Sequence, residues 1–139
     1  MDTIQVDIVS AEGEIFSGPA AMVFLPASEG DIGVAPRHAP LLTLLKPGEV
    51  RVKTPEGAEH SFFVGGGVLE VQPRHVSVLA DTAARAKDLD EAAALAARQR
   101  AEEAIAGSTD KITQAEAMAE LARVVAQLKM IQKLRRTRS

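Results

Sequence analysis

A chain of 139 residues that is 46% hydrophobic has enough apolar material for one ordinary domain or two small units. Its net charge of -3 and its four aromatic residues, all phenylalanine, argue against a nucleic-acid reader, which needs a basic face or stacking rings. With no cysteine, disulfides, thiolate metal sites and cysteine nucleophiles are excluded.

The opening MDTIQVDIVSAEGE lacks the basic and apolar regions of a signal peptide. No apolar run approaches the roughly 18 to 20 residues that span a bilayer, so no direct membrane insertion is expected. TIQVDIVS alternates, placing Ile4, Val6 and Ile8 on one face and Thr3, Gln5 and Asp7 on the other, which predicts a half-buried strand. Further short strands are expected at MVFL (22–25), EVRVKT (49–54), HSFFVGGG (60–67), VLEV (68–71) and HVSVLA (75–80). Turn signals punctuate them at Ser17-Gly18-Pro19, Glu29-Gly30, Lys46-Pro47-Gly48, Pro55-Glu56-Gly57 and Gln72-Pro73. Many short strands at this spacing read as an antiparallel sandwich or barrel.

After Lys87 there is no proline and one glycine, and Ala, Glu, Arg, Leu and Gln dominate, all good helix formers apart from their packing. Asp88 is the expected N-cap of a helix running to about Ala106. Gly107-Ser108 breaks it, and Thr113 with Glu116 fits the capping box of a second helix continuing to about Leu134. Two helices joined by a short break predict a helical hairpin. A stripe of Leu121, Val124, Val125, Leu128 and Ile131 is its expected packing face. Thirteen alanines between Ala92 and Ala126 bury little area each, so the hairpin should be closed but modestly stable. Charge divides at the same place. Residues 1–86 hold six Lys/Arg against eleven Asp/Glu, and residues 87–139 hold ten against eight. Six cations fall in the last seventeen residues with no acid among them. That exceeds what complementing a helix dipole requires and suits an acidic partner.

Catalytic and metal chemistry find little support. His38, His60 and His75 lie 22 and 15 residues apart, with no HExxH or HxH spacing and no GxSxG elbow. His60 and His75 each open a strand-like segment and read as solvated strand ends. Gly65-Gly66-Gly67 is followed by a strand rather than by GK[ST] and a helix, so it reads as a bulge or close backbone approach, not a phosphate cradle. The stretch SEGDIGVAPRHAP (28–40) stands out: Glu29 and Asp31 lie among turn residues, and His38 is held between Pro36 and Pro40.

The stretches VSAEGEIFSG (9–18), SEGDIGVAPRHAPLLTLLKPG (28–48), VGGGVLEVQP (64–73) and VLADTA (78–83), followed by DLDEA (88–92), closely resemble the epsilon-subunit family of bacterial F-type ATP synthases, collinearly and over nearly the whole chain. The resemblance implies a ten-stranded antiparallel β-sandwich at 1–86 followed by a two-helix antiparallel hairpin at 87–139. It also implies a non-catalytic central-stalk subunit, without cofactor or metal, at the cytoplasmic face of a bacterial inner membrane. The sandwich would dock on the gamma subunit and the c-subunit ring, the latter through Glu29, Asp31, Arg37 and His38. The hairpin would inhibit ATP hydrolysis by meeting the alpha and beta subunits through Arg123, Lys129, Lys133 and Arg136. Some family members bind ATP at a motif resembling [IL]DxxRA. Here Leu89-Asp90-Glu91-Ala92-Ala93-Ala94 keeps Asp90 but places Ala93 at the arginine position, leaving Asp90 and Arg123 as a weakened nucleotide site. The competing readings are an autonomous adaptor that uses the same two units, and a small hydrolase.

Overall fold

In the computed structural model, residues 2–138 are described, with side chains as far as Arg135. The alternation at the start of the chain becomes β1 (Ile4–Ser10), and Ile4, Val6 and Ile8 are fully buried as the pattern requires. The chain continues through β2 (Gly13–Ala20), β3 (Met22–Ala27), β4 (Gly30–Val34), β5 (Leu41–Lys53), β6 (Glu59–Gln72), β7 (His75–Ala80) and β8 (Ala83–Arg85). A single turn of 3-10 helix at Ala86–Asp88 leads to α1 (Glu91–Gly107) and α2 (Lys111–Arg138). The chain divides into two compact units between Ala86 and Lys87.

Hydrogen-bonded neighbours follow the path β2-β1-β7-β6-β5-β3-β4, with β8 on β6. Each half of β6 has its own outer partner: Phe62–Val64 pair with β8 and Gly67–Gln72 with β7. The strand therefore serves both layers of the sandwich. One core lies between them, built from Ile4, Val6 and Ile8 of β1, Val50 and Val52 of β5, Phe62 and Leu69 of β6, and Val76 and Val78 of β7. Each such side chain contributes about 1.5 to 3 kcal/mol by leaving water.

The strand count is eight where ten was expected, and the difference is continuity rather than missing structure. Lys46-Pro47-Gly48, read as a turn, lies inside β5, where Pro47 pairs with Gly65 in the same register as the rest of the β5–β6 hairpin. Gly65-Gly66-Gly67 likewise lies inside β6. Gly66 and Gly67 have φ of 100° and 146°, values open to glycine, and a Cβ at Gly67 would collide with the Leu79 carbonyl. The glycines bend the strand without breaking its ladder. One pair also departs from the antiparallel expectation: β1 and β7 run parallel.

Three local expectations are corrected. Ser17-Gly18-Pro19 is not a turn but part of β2, where Pro19 faces Gln5; β2 ends the strand path, and an edge tolerates a residue without an N–H. Asp90, not Asp88, caps α1, its carboxylate accepting from the Ala93 amide at 3.2 Å. Thr113 lies inside α2 rather than capping it. Asp110 stands just before Lys111, accepts from the Ile112 amide at 3.0 Å and from the Thr113 hydroxyl at 3.2 Å, and so starts the helix earlier. Within the helical unit Val124 and Leu128 are buried against Ala94, with Ala97 and Ile131 packed around them. This is part of the expected stripe; Leu121 and Val125 are only half-buried.

Candidate docking surfaces

The stretch 28–40 is less of a loop than its composition suggests. Gly30–Val34 forms edge strand β4, and Ser28-Glu29 is the two-residue tip of the β3–β4 hairpin, closed by the Ala27–Gly30 pair. Gly30 takes φ 139°, and the Ser28 amide donates to the Leu44 carbonyl at 2.9 Å, tying the tip to β5. Glu29 and Asp31 are both exposed at this end. Arg37 and His38 follow the far end of β4, roughly 13 Å away at about 3.3 Å per strand residue. The four expected docking residues are thus two pairs at opposite ends of one strand. Arg37 is exposed and pairs with Asp2 at 3.6 Å. His38 is half-buried, and its Nδ1–H donates to the Ala39 carbonyl at 2.7 Å.

A second surface was not foreseen from the sequence. Register places Leu44 beside Val68, Val68 beside Leu79, and Leu79 beside Val9, across β5, β6, β7 and β1. All four side chains point away from the core. Leu44 is 61% exposed, Leu79 57%, and Leu42 beside them on β5 71%. A contiguous apolar row on a sheet face marks an interaction surface. The run LLTLL at 41–45 held a hint, since alternation sends Leu42 and Leu44 to the face opposite Leu41 and Leu45.

On the same face, Asp7 collects three donors, two from the neighbouring strands β2 and β7 and one from Gln5 of its own strand. The Ser17 hydroxyl donates to its Oδ1 at 2.5 Å, the His75 Nε2–H to its Oδ2 at 2.6 Å, and the Gln5 side-chain Nε2–H to Oδ1 at 3.3 Å. The hydrogen bond from Ser17, above all, holds the Asp7 carboxyl below the usual range; partial burial opposes it and His75 adds to it. Ser17 and His75 each bind the carboxylate and not one another, so the imidazole does not draw a proton from the hydroxyl. The cluster ties β2, β1 and β7 together. His60 is exposed at the start of β6, as a solvated strand end, and its ring also lies beside Phe16 with centroids 5.6 Å apart. Among the described residues, no group of three His, Cys, Asp or Glu side chains could hold a metal ion.

In the helical unit, Arg123 is half-buried and pairs with Glu120 one turn back. Lys129 and Lys133 are exposed at helical spacing on α2. Arg135 pairs with Glu91 in the first turn of α1. The side chain of Arg136 lies outside the described residues. Asp90 is engaged as the α1 cap, and the amide it binds belongs to Ala93, the residue at the motif's arginine position.

Comparison with known proteins gives these surfaces a context. The family description "ATP synthase, Delta/Epsilon chain, beta-sandwich domain" matches residues 3–86, and "ATP synthase, Delta/Epsilon chain, long alpha-helix domain" matches residues 87–132. The ATP synthase epsilon chain of Nitrosococcus oceani is 62% identical over 134 residues, covering 96% of both chains. That of Halorhodospira halophila is 57% identical over 138 residues, covering 98% of this chain and 97% of the relative. Among solved structures, a chain of the Euglena gracilis mitochondrial ATP synthase (OSCP/F1/c-ring) superposes with a TM-score of 0.79 at 20% identity, over 91% of this chain and 79% of that one. A chain of the Tetrahymena thermophila mitochondrial ATP synthase (central stalk and c-ring) gives 0.62 at 13% identity, over 92% and 96%.

Proposed function

Because the chain belongs to the ATP synthase delta/epsilon family, we propose that it is a rotor-stalk subunit that helps couple proton flow to ATP synthesis and restrains ATP hydrolysis. It is an epsilon-type, non-catalytic subunit of an ATP synthase, so its work is binding rather than chemistry. The observation that carries the reading is the outward apolar row in which Leu44 and Leu79 are exposed and Val68 and Val9 half-buried. A folded sheet leaves such a row in water when another subunit covers it in the assembly, and the gamma subunit is the partner assigned to it.

The acidic pair Glu29 and Asp31 is assigned to the c-subunit ring. A hairpin tip held by the Ser28–Leu44 hydrogen bond presents two carboxylates with little to order on docking. Carboxylates of this kind suit arginine through charge-assisted hydrogen bonds. Arg37 and His38, at the other end of β4, form the flank of that contact. The helical unit is assigned the regulatory role, with Arg123, Lys129, Lys133 and Arg136 meeting the alpha and beta subunits in an inhibited state. Exposure of Lys129 and Lys133 on one face supports this. Among the described residues no helix is long and apolar enough to cross a membrane. This fits a peripheral place at the cytoplasmic face of a bacterial inner membrane, held there by the other subunits.

Charge variants test the two assignments separately. Reversing Glu29 and Asp31 to lysine is expected to lower proton-driven ATP synthesis in reconstituted complexes, and unchanged synthesis would remove the ring contact from the proposal. Neutralising Lys129, Lys133 and Arg136 to alanine is expected to relieve inhibition of hydrolysis. Inhibition at the wild-type level would sink the regulatory assignment.

A further inference from the structure

The β unit is acidic overall, yet two of its six cations converge on one concave surface. Backbone hydrogen bonds draw three segments together there. The Arg37 amide donates to the Pro73 carbonyl at 2.7 Å, and the Gln5 amide to the Arg74 carbonyl at 2.9 Å. Between them lies an open groove of about 400 Å³ whose lining includes Arg37, Arg74, Pro36, Pro73, Asp2 and Thr3. The two prolines fix φ on either wall, so the groove is formed before anything enters it. Arg37 has φ 69°, the one positive value among the described non-glycine residues, and the bond to Pro73 holds it there.

The charges in the groove are loosely matched. Arg37 meets Asp2 at 3.6 Å, beyond hydrogen-bond distance, with the two side chains 80% and 64% exposed. Among the described residues, the Arg74 guanidinium forms no ion pair. Arg51, by contrast, is engaged by Glu49 and Glu59 and lies over the Phe24 ring. Two arginines and one carboxylate therefore line a cleft whose rigid walls suit a small charged guest.

We propose that this groove is an oxyanion site, taking a carboxylate or phosphate group between Arg37 and Arg74, and that the Asp2 carboxylate is an internal occupant the ligand displaces. A guanidinium fork matches the paired oxygens of both groups. The site stands apart from the acidic hairpin tip; it shares Arg37 with the flank assigned to the ring contact, while Arg74 belongs to none of the subunit contacts assigned above.

Two probes distinguish the sources: inorganic phosphate and an acetylated diglutamate peptide, each titrated into the full chain at low ionic strength. Amide and arginine Nε resonances of residues 36–38 and 73–75 are followed by NMR. At least one probe is expected to give saturable shifts there, and whichever binds identifies the ligand class. Arg37→Gln and Arg74→Gln each weaken the effect at least tenfold, while Asp2→Asn tightens it at least threefold. Glu12→Gln makes the same charge change in the exposed β1–β2 turn and leaves affinity unaltered. The absence of saturable shifts with both probes would overturn the proposal. So would equal tightening by Asp2→Asn and Glu12→Gln, because the effect would then be one of overall charge.

Discussion

Replacing Leu44 and Leu79 together by serine isolates the exposed row from the fold. Neither side chain belongs to the core, and more than half of each is already in water. The double variant should therefore fold normally, since surface changes of this kind cost within about 0.5 kcal/mol each. Docking is another matter. Fully burying a leucine side chain is worth about 1.5 to 3 kcal/mol, so completing the burial of one that is already partly covered is worth roughly 1 to 1.5. Two of them give roughly 2 to 3 kcal/mol, which corresponds to about a 30- to 150-fold rise in Kd. The assay is calorimetric titration of wild-type and variant chains into ATP synthase heads depleted of their epsilon subunit, with circular dichroism to confirm the fold. A natively folded variant that binds within threefold of wild type would refute the reasoning, because the row would then not be the dock.

Three further outcomes test the structure itself. Gly67→Ala combines φ 146° with a collision against the Leu79 backbone, so its urea midpoint should fall by the equivalent of more than about 1 kcal/mol; an unchanged midpoint would deny the close approach. Asp7 is held below its ordinary pKa, so its contribution to stability is present above the unfolded value near pH 4 and is lost as pH falls through the lower folded value. Asp7→Asn should be less stable than wild type at neutral pH and should flatten the loss of stability on acidification below the unfolded value; parallel curves would mean that Asp7 carries no linkage. With Ala93 in place of a phosphate-pairing arginine and Asp90 engaged as a cap, calorimetry should detect weak or no ATP binding, and micromolar affinity would reverse that expectation.

The elements that the sequence made legible were those in which burial and periodicity agree. Ile4, Val6 and Ile8 alternate because β1 has one buried face, and the loss of Pro and Gly after residue 87 marks the change to helices. Where turn residues occur inside strands, local chemistry misleads. Pro19 sits on an edge that needs no donor, and Pro47 and Gly65 face one another in a ladder long enough to absorb both. Composition could not show that Gly30–Val34 is a strand, because only pairing with β3 makes it one. The docking set suffered in the same way. Glu29 and Arg37 are eight residues apart in the sequence, and an intervening strand rather than a loop puts them at opposite ends of an edge. The exposed row was out of reach for a further reason: its members come from four strands, and a one-residue change in register would turn any of them inward.

The central claim is that one unit docks and the other restrains. Adding the full chain, or a chain ending at Lys87, to heads stripped of their epsilon subunit tests it most directly, with binding and ATP hydrolysis followed together. The account predicts that both chains bind and that only the full chain slows hydrolysis. Equal inhibition by the two, or binding that requires the helices, would contradict it.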